Sequence, residues 1–199
     1  MSKIAVDVVL LPSDEMMDKT IRANAELVET FDKKIVLNKE NCLPHISLAM
    51  GCIDERDIAP IGRLLELAAR ECPLGELTVT GIRTSTNARG EKVSVFEVEK
   101  TRDLQLLHEK IMKKMMPYFS CDVTGEMIYG DEEVAETTLQ WVKNYRKKAG
   151  LENFFPHITI GFGEIESEAF PTTFTASKLA LCHLGNHCTC RQILASVEL

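Results

Sequence analysis

The chain has 199 residues, 45% of them hydrophobic and 27% charged, with 23 Lys and Arg against 30 Asp and Glu for a formal net charge of −7. This is the composition of a soluble globular protein long enough to bury one continuous core, and no apolar run reaches the roughly 18–20 residues of a membrane-spanning helix. The acidic balance disfavours extended DNA or RNA, which is bound largely by neutralising phosphates. It leaves room for a small anionic substrate or a short RNA end held in a locally basic cleft.

Residues 4–11 alternate as a strand with Ile4, Val6, Val8 and Leu10 on one face. Asp7 interrupts the stretch and Pro12 ends it without a small-residue cleavage site, a pattern unlike a signal peptide. Ser13 is the expected N-cap of a first helix with Met17, Ile21, Ala25, Val28 and Phe31 at core spacing. A short strand is expected at 35–37 and a longer one at 44–53. A second helix, 55–72, places Ile58, Ile61, Leu65 and Ala68 on one face and ends at Pro73 and Gly75.

Strands at 76–84 and 92–99 form a hairpin around Asn87, Ala88, Arg89 and Gly90. A third helix, 102–116, buries Leu104, Leu107, Ile111 and Met115, with His108 at the edge of the stripe as a surface or boundary residue. Residues 120–130 are expected to be irregular or weakly extended. A fourth helix, 133–149, carries Leu139, Val142 and Tyr145 at helical spacing. A strand at 154–163 follows, then a closing hairpin of 178–184 and 191–198 around Gly185 and Asn186. Hairpins mixed with helices, without strict strand–helix alternation, predict an α+β fold with mainly antiparallel sheet. No linker or composition shift divides residues 1–199, which are read as one domain. The seven cysteines form no regular framework, so reduced thiols and a cytoplasmic setting are expected.

One internal echo stands out. Pro44-His45-Ile46-Ser47-Leu48 returns as Pro156-His157-Ile158-Thr159-Ile160. The side-chain period of a strand is two, so His45 and Ser47 share one face and His157 and Thr159 another, with the apolar residues opposite. Phosphodiester cleavage needs a proton removed from the attacking oxygen and one delivered to the leaving oxygen. Two imidazoles titrating near neutrality can do both, each transfer contributing about 10²–10⁴-fold. The two hydroxyls can donate to the non-bridging phosphate oxygens. No metal or cofactor is required by this chemistry.

With these paired motifs the sequence resembles the two-histidine (2H) phosphoesterase superfamily, which includes RNA 2′,3′-cyclic phosphodiesterases and proteins named 2′-5′ RNA ligases. The resemblance extends to the order of strands and helices over nearly the whole chain. It implies a bilobal fold of two mainly antiparallel sheets facing a central cleft, with helices outside. It further implies metal-free hydrolysis of 2′,3′-cyclic or 2′-5′ phosphodiesters in a nucleotide or RNA end, with His45 and His157 catalytic and Ser47 and Thr159 holding the phosphate. The motifs are farther apart than in compact members, which makes 121–153 an expected insertion. Within it, Tyr129, Trp141, Tyr145 and Arg146 are candidates for base stacking and basic contacts, or simply parts of an amphipathic helix with a solvated lysine face.

Two other readings belong to different classes. One is a non-catalytic nucleotide- or RNA-binding module on the same fold, for which two proton-transfer groups would be superfluous. The other is a zinc protein using Cys182, His183, His187, Cys188 and Cys190, although no second ligand pair of the usual spacing accompanies them. In a tight hairpin, Cys188 and Cys190 would share a strand face as a small apolar contact.

Overall fold

A computed structural model describes residues 2–87, 89–120, 122–165 and 170–199. Ala88 of the expected hairpin turn and Cys121 at the start of the expected insertion lie outside the described residues. In chain order the elements are β1 (Lys3–Pro12), α1 (Asp14–Thr30), β2 (Ile46–Asp54), α2 (Ile58–Glu71), β3 (Leu77–Thr86) and β4 (Lys92–Val98). There follow α3 (Arg102–Met115), α4 (Glu136–Ala149), β5 (His157–Phe162), β6 (Thr172–Phe174), β7 (Ala176–Leu184) and β8 (Cys190–Glu198).

The strands form two four-stranded sheets, ordered β2-β1-β7-β8 and β5-β4-β3-β6, and every strand pair is antiparallel. The expected α+β fold with mainly antiparallel sheet is the one observed. The first sheet joins the two ends of the chain and the second comes from its middle. β1 lies inside its sheet and is buried from Ile4 to Leu11, so the expected one-sided alternation is absent there. Each motif strand, β2 and β5, lies at a sheet edge.

Both motif strands carry a β-bulge at the same place in the echo. In β2, Ser47 pairs with Val9 and Ala49 with Val8, leaving Leu48 unpaired. In β5, Thr159 pairs with Val95 and Gly161 with Ser94, leaving Ile160 unpaired. A bulge removes a residue from the ladder and bends the strand, so a buried carbonyl there needs another partner. His108 of α3 donates from Nδ1 to the Leu48 carbonyl at 2.8 Å. Asn24 of α1 donates from Nδ2 to the Ile160 carbonyl at 2.8 Å. Thus α1, which follows a strand of the first sheet, packs against β5 of the second. Conversely α3, which follows a strand of the second, packs against β2 of the first.

These polar anchors explain where sequence periodicity misplaces residues. The buried face of α1 is Met16, Met17, Thr20, Ala23, Asn24 and Leu27, while Ala25 is exposed and Phe31 lies beyond the helix, exposed. Only Met17 of the expected stripe is fully buried. The helix is rotated to bury Asn24, whose amide also donates to Ile35 O and accepts from Leu37 N. Those bonds hold 35–37 as an irregular segment with Ile35 and Leu37 buried, in place of the expected strand. His108 is likewise a core residue and not a surface one. Its Nε2 accepts the Leu151 N–H at 2.8 Å, and its ring stacks on Phe154 with centroids 4.0 Å apart.

The other departures are local. A 3-10 turn at Glu55–Asp57 precedes α2. Helix α4 starts at Glu136 because Asn186 Oδ1 accepts from Ala135 N and Thr138 Oγ1, fixing that end against the β7–β8 turn. Ser13 occupies the N-cap position of α1 without a side-chain capping bond. Strand β6, absent from the expected elements, is three residues long and too short to show a period.

Substituting His108 with Ala leaves the Leu48 carbonyl and the Leu151 amide without partners and opens a cavity under Phe154. The expected loss in unfolding free energy is about 2–4 kcal/mol by denaturant titration. A loss below about 1 kcal/mol would show that this anchor is dispensable.

Candidate functional site

The bulged strands bring the two motifs to one cleft of about 420 Å³. His45, Ser47, His157 and Thr159 all line it. Along both segments the motif side chains are half-buried while Ile46, Leu48, Ile158 and Ile160 are fully buried, as period two requires.

The two imidazoles are held alike. Nδ1 of His45 lies 2.8 Å from the Leu43 carbonyl, and Nδ1 of His157 lies 2.8 Å from the Phe155 carbonyl. A carbonyl only accepts, so each ring carries its proton on Nδ1 and keeps Nε2 as a free lone pair in its neutral form. Burial lowers the pKa of His45 to about 4, with a smaller contribution from charge on His157. Burial lowers that of His157 too, helped by the Arg83 guanidinium. The cleft therefore holds two neutral imidazoles at pH 7, each fixed by a backbone bond two residues back along the chain.

Ser47 Oγ shares a 2.6 Å hydrogen bond with Asp7 Oδ2, and the same carboxyl oxygen lies 3.8 Å from His45 Nε2. Asp7 is wholly buried and burial raises its pKa well above the usual carboxylate range. Across the cleft, Arg83 stacks on Phe155 at 4.5 Å and donates to Glu97 at 2.8 Å. Phe155 in turn stacks on the His157 ring, centroids 5.2 Å apart and planes 22° apart.

Of the aromatic and basic residues proposed from sequence, Trp141 and Tyr145 line the cleft. Tyr145 hydroxyl donates to the Ser47 carbonyl at 3.3 Å, and Lys148 Nζ sits 5.8 Å from the Trp141 ring centre. Tyr129 and Arg146 are not among the lining residues; Tyr129 packs edge-on against His183 and Arg146 is exposed. Asp7, Arg83 and Phe155 were not singled out as site residues by sequence reasoning. The signal for Asp7 was a single acid in an apolar strand. The signal for Phe155 was its place beside His157.

The echo itself runs further than its five obvious residues. Six positions after each histidine stands a glycine, Gly51 and Gly163. A Cβ on either would fall 2.5 Å from an aromatic ring carbon, of Phe119 and Phe31 respectively. Gly163 also has φ +118°, open to glycine at little cost.

The C-terminal cysteine and histidine cluster is dispersed. Cys182 and Cys190 are joined as a disulfide across β7 and β8, their Cα atoms 5.7 Å apart, which corrects the expectation of reduced thiols at this pair. Cys188 does not share a strand face with Cys190; it lies in the 3-10 turn at Asn186–Cys188 and lines the cleft. His183 Nε2 is 3.0 Å from the Met127 carbonyl. Among the described residues no three His, Cys, Asp or Glu side chains are grouped to hold a metal ion, and no helix is long and apolar enough to cross a membrane.

No family model and no curated protein matches this chain. Among solved structures it is similar to the crystal structure of E. coli LigT in apo form, with 14% sequence identity and a TM-score of 0.52. The alignment covers 100% of this chain and 99% of that one. At that identity the likeness is one of fold, and it extends from end to end.

A histidine whose folded pKa is depressed contributes stability that is present above its unfolded value and lost as pH falls through the folded one. For His45 and His108, both lowered to about 4, that loss falls between about pH 6.5 and pH 4. The His45 ring resonances are accordingly expected to titrate in NMR with a midpoint near 4. A midpoint at the ordinary histidine value would contradict the lowering of this pKa by burial.

Proposed function

We propose that this chain is a phosphodiesterase that hydrolyses 2′,3′-cyclic phosphate or 2′-5′ phosphodiester bonds of nucleotides or RNA ends by two-histidine acid–base catalysis. The observation that carries this reading is the matched pair of anchored imidazoles, each beside a hydroxyl, lining one cleft. A fold shared end to end with LigT supports it, as does the resemblance of the motifs to the 2H phosphoesterases.

In the proposed reaction His157 Nε2 takes the proton of the attacking water and His45 delivers one to the leaving oxygen. Because burial resists charging either ring, the phosphate anion itself supplies the counter-charge that lets His45 carry a proton. Ser47 and Thr159 donate to the non-bridging oxygens, where charge grows in the transition state. Arg83, next to His157, adds positive potential on that side. Trp141, Tyr145 and Phe155 offer flat surfaces on which a base can stack, typically worth about 1–3 kcal/mol per base. Residues 1–199 act as one catalytic unit, with 121–153 contributing Trp141 and Tyr145 to the cleft wall.

Purified protein assayed on 2′,3′-cyclic nucleotides, 2′-5′ oligoadenylate and RNA with a cyclic phosphate end tests the reading and names the substrate. Turnover is expected to persist in a chelator. His45→Ala and His157→Ala each lower kcat by about 10²–10⁴-fold while circular dichroism stays unchanged. Full activity in His157→Ala would sink the mechanism. Trp141→Ala is expected to raise KM more than it lowers kcat, and an unchanged KM would remove this residue from substrate binding.

A further inference from the structure

The hydroxyl of Ser47 has one proton, and its hydrogen-bond partner is the carboxyl of Asp7, 2.6 Å away. If Asp7 were ionised it could only accept, so the Ser47 proton would point into the protein and none would remain for a phosphate oxygen. If Asp7 is protonated, its own O–H donates to Ser47 Oγ, and the serine proton turns to the cleft. The two phosphate-binding hydroxyls therefore differ: Ser47 has a carboxyl behind it.

The surroundings of Asp7 favour the protonated form. Its side chain has no exposed surface, and its Oδ1 has no hydrogen-bond partner among the described residues. A buried ionised carboxylate with an unpartnered oxygen is costly, whereas a neutral acid needs one donor interaction, which Ser47 accepts. The groups facing it are His45 at 3.8 Å, the Tyr145 hydroxyl from α4 and the Cys188 thiol after β7. None is a cation at neutral pH: burial holds His45 neutral and pushes Tyr145 and Cys188 up, away from ionising. Among the described residues no cation acts on it to hold a carboxylate. The Ser47 hydroxyl and the Ala49 N–H favour ionisation, and burial outweighs both.

We propose that Asp7 is a positioning residue that stays a neutral acid and, by donating to Ser47, frees the serine hydroxyl to bind the non-bridging phosphate oxygen of the substrate. This inference rests on the phosphodiesterase reading above. It also explains a lone acid in the middle of a strand buried on both faces, where an apolar side chain would be more stable.

The test compares Asp7→Ala with Asp7→Asn, whose Nδ2 is a donor that cannot ionise. Asp7→Ala is expected to lower kcat by about tenfold or more, through loss of an oriented donor to developing charge, with KM little changed. Asp7→Asn is expected to recover kcat to within about threefold of the wild type. Equal losses in both variants, with unchanged melting temperatures, would overturn the proposal, because an ionised carboxylate would then be what matters. Should Asp7→Ala fail to fold, Asp7→Asn against the wild type still decides. Independently of turnover, the ¹³C carboxyl resonance of Asp7 is expected to be that of a protonated acid at pH 7, and an ionised signal would overturn the proposal. If the wild type cleaves no substrate of the panel, the phosphodiesterase reading fails, while the carboxyl resonance still tests the state of Asp7.

Discussion

Two carbonyl groups, Leu48 O and Ile160 O, set the geometry on which the rest of this molecule depends. Each sits at a bulge, outside the strand ladder, where the buried backbone must find another donor. Each finds it in a polar side chain projecting from the helix that follows the other sheet, His108 for one and Asn24 for the other. The bulges bend the edge strands just beyond the two motifs, and the helix side chains lock the bends. Because the bonds cross between sheets, they also tie the two lobes across the cleft.

This arrangement has an electrostatic counterpart. His108 has both ring nitrogens occupied, so it is a fixed neutral strut. His45 and His157 have only Nδ1 occupied, which fixes the tautomer and leaves Nε2 for chemistry. One imidazole becomes structural and two become candidates for proton transfer through the number of partners the fold gives them. The same accounting separates the carboxyls. Glu97 is paired to Arg83 at the edge of the cleft, while Asp7 is buried with no cation acting on it among the described residues.

Much of this was legible before the fold was known. The paired motifs, their facing by strand period, the two hairpins and the buried stripes of the second and third helices all follow from local spacing, which a chain carries wherever it folds. The misreadings share one cause. In the first helix, Asn24 displaces the expected apolar face because three backbone groups distant in sequence require it. Residues 35–37 have the composition of a strand, yet bond to that asparagine instead of a sheet. His108 looks like a boundary residue until Leu48, Leu151 and Phe154 are placed around it. The pairing of Cys182 with Cys190 depends on the register of the closing hairpin, which spacing alone leaves open.

By itself, then, the amino-acid sequence determined the α+β class and which side chains are candidates for phosphodiester chemistry, because strand period and side-chain type are local properties. Only the tertiary structure decided that the four motif residues line one cleft, that both bulges need a helix side chain, and that Asp7, Arg83 and Phe155 stand beside the imidazoles. Those are facts of proximity between segments far apart in the chain, and proximity is set by how buried polar groups are satisfied, which no local pattern records.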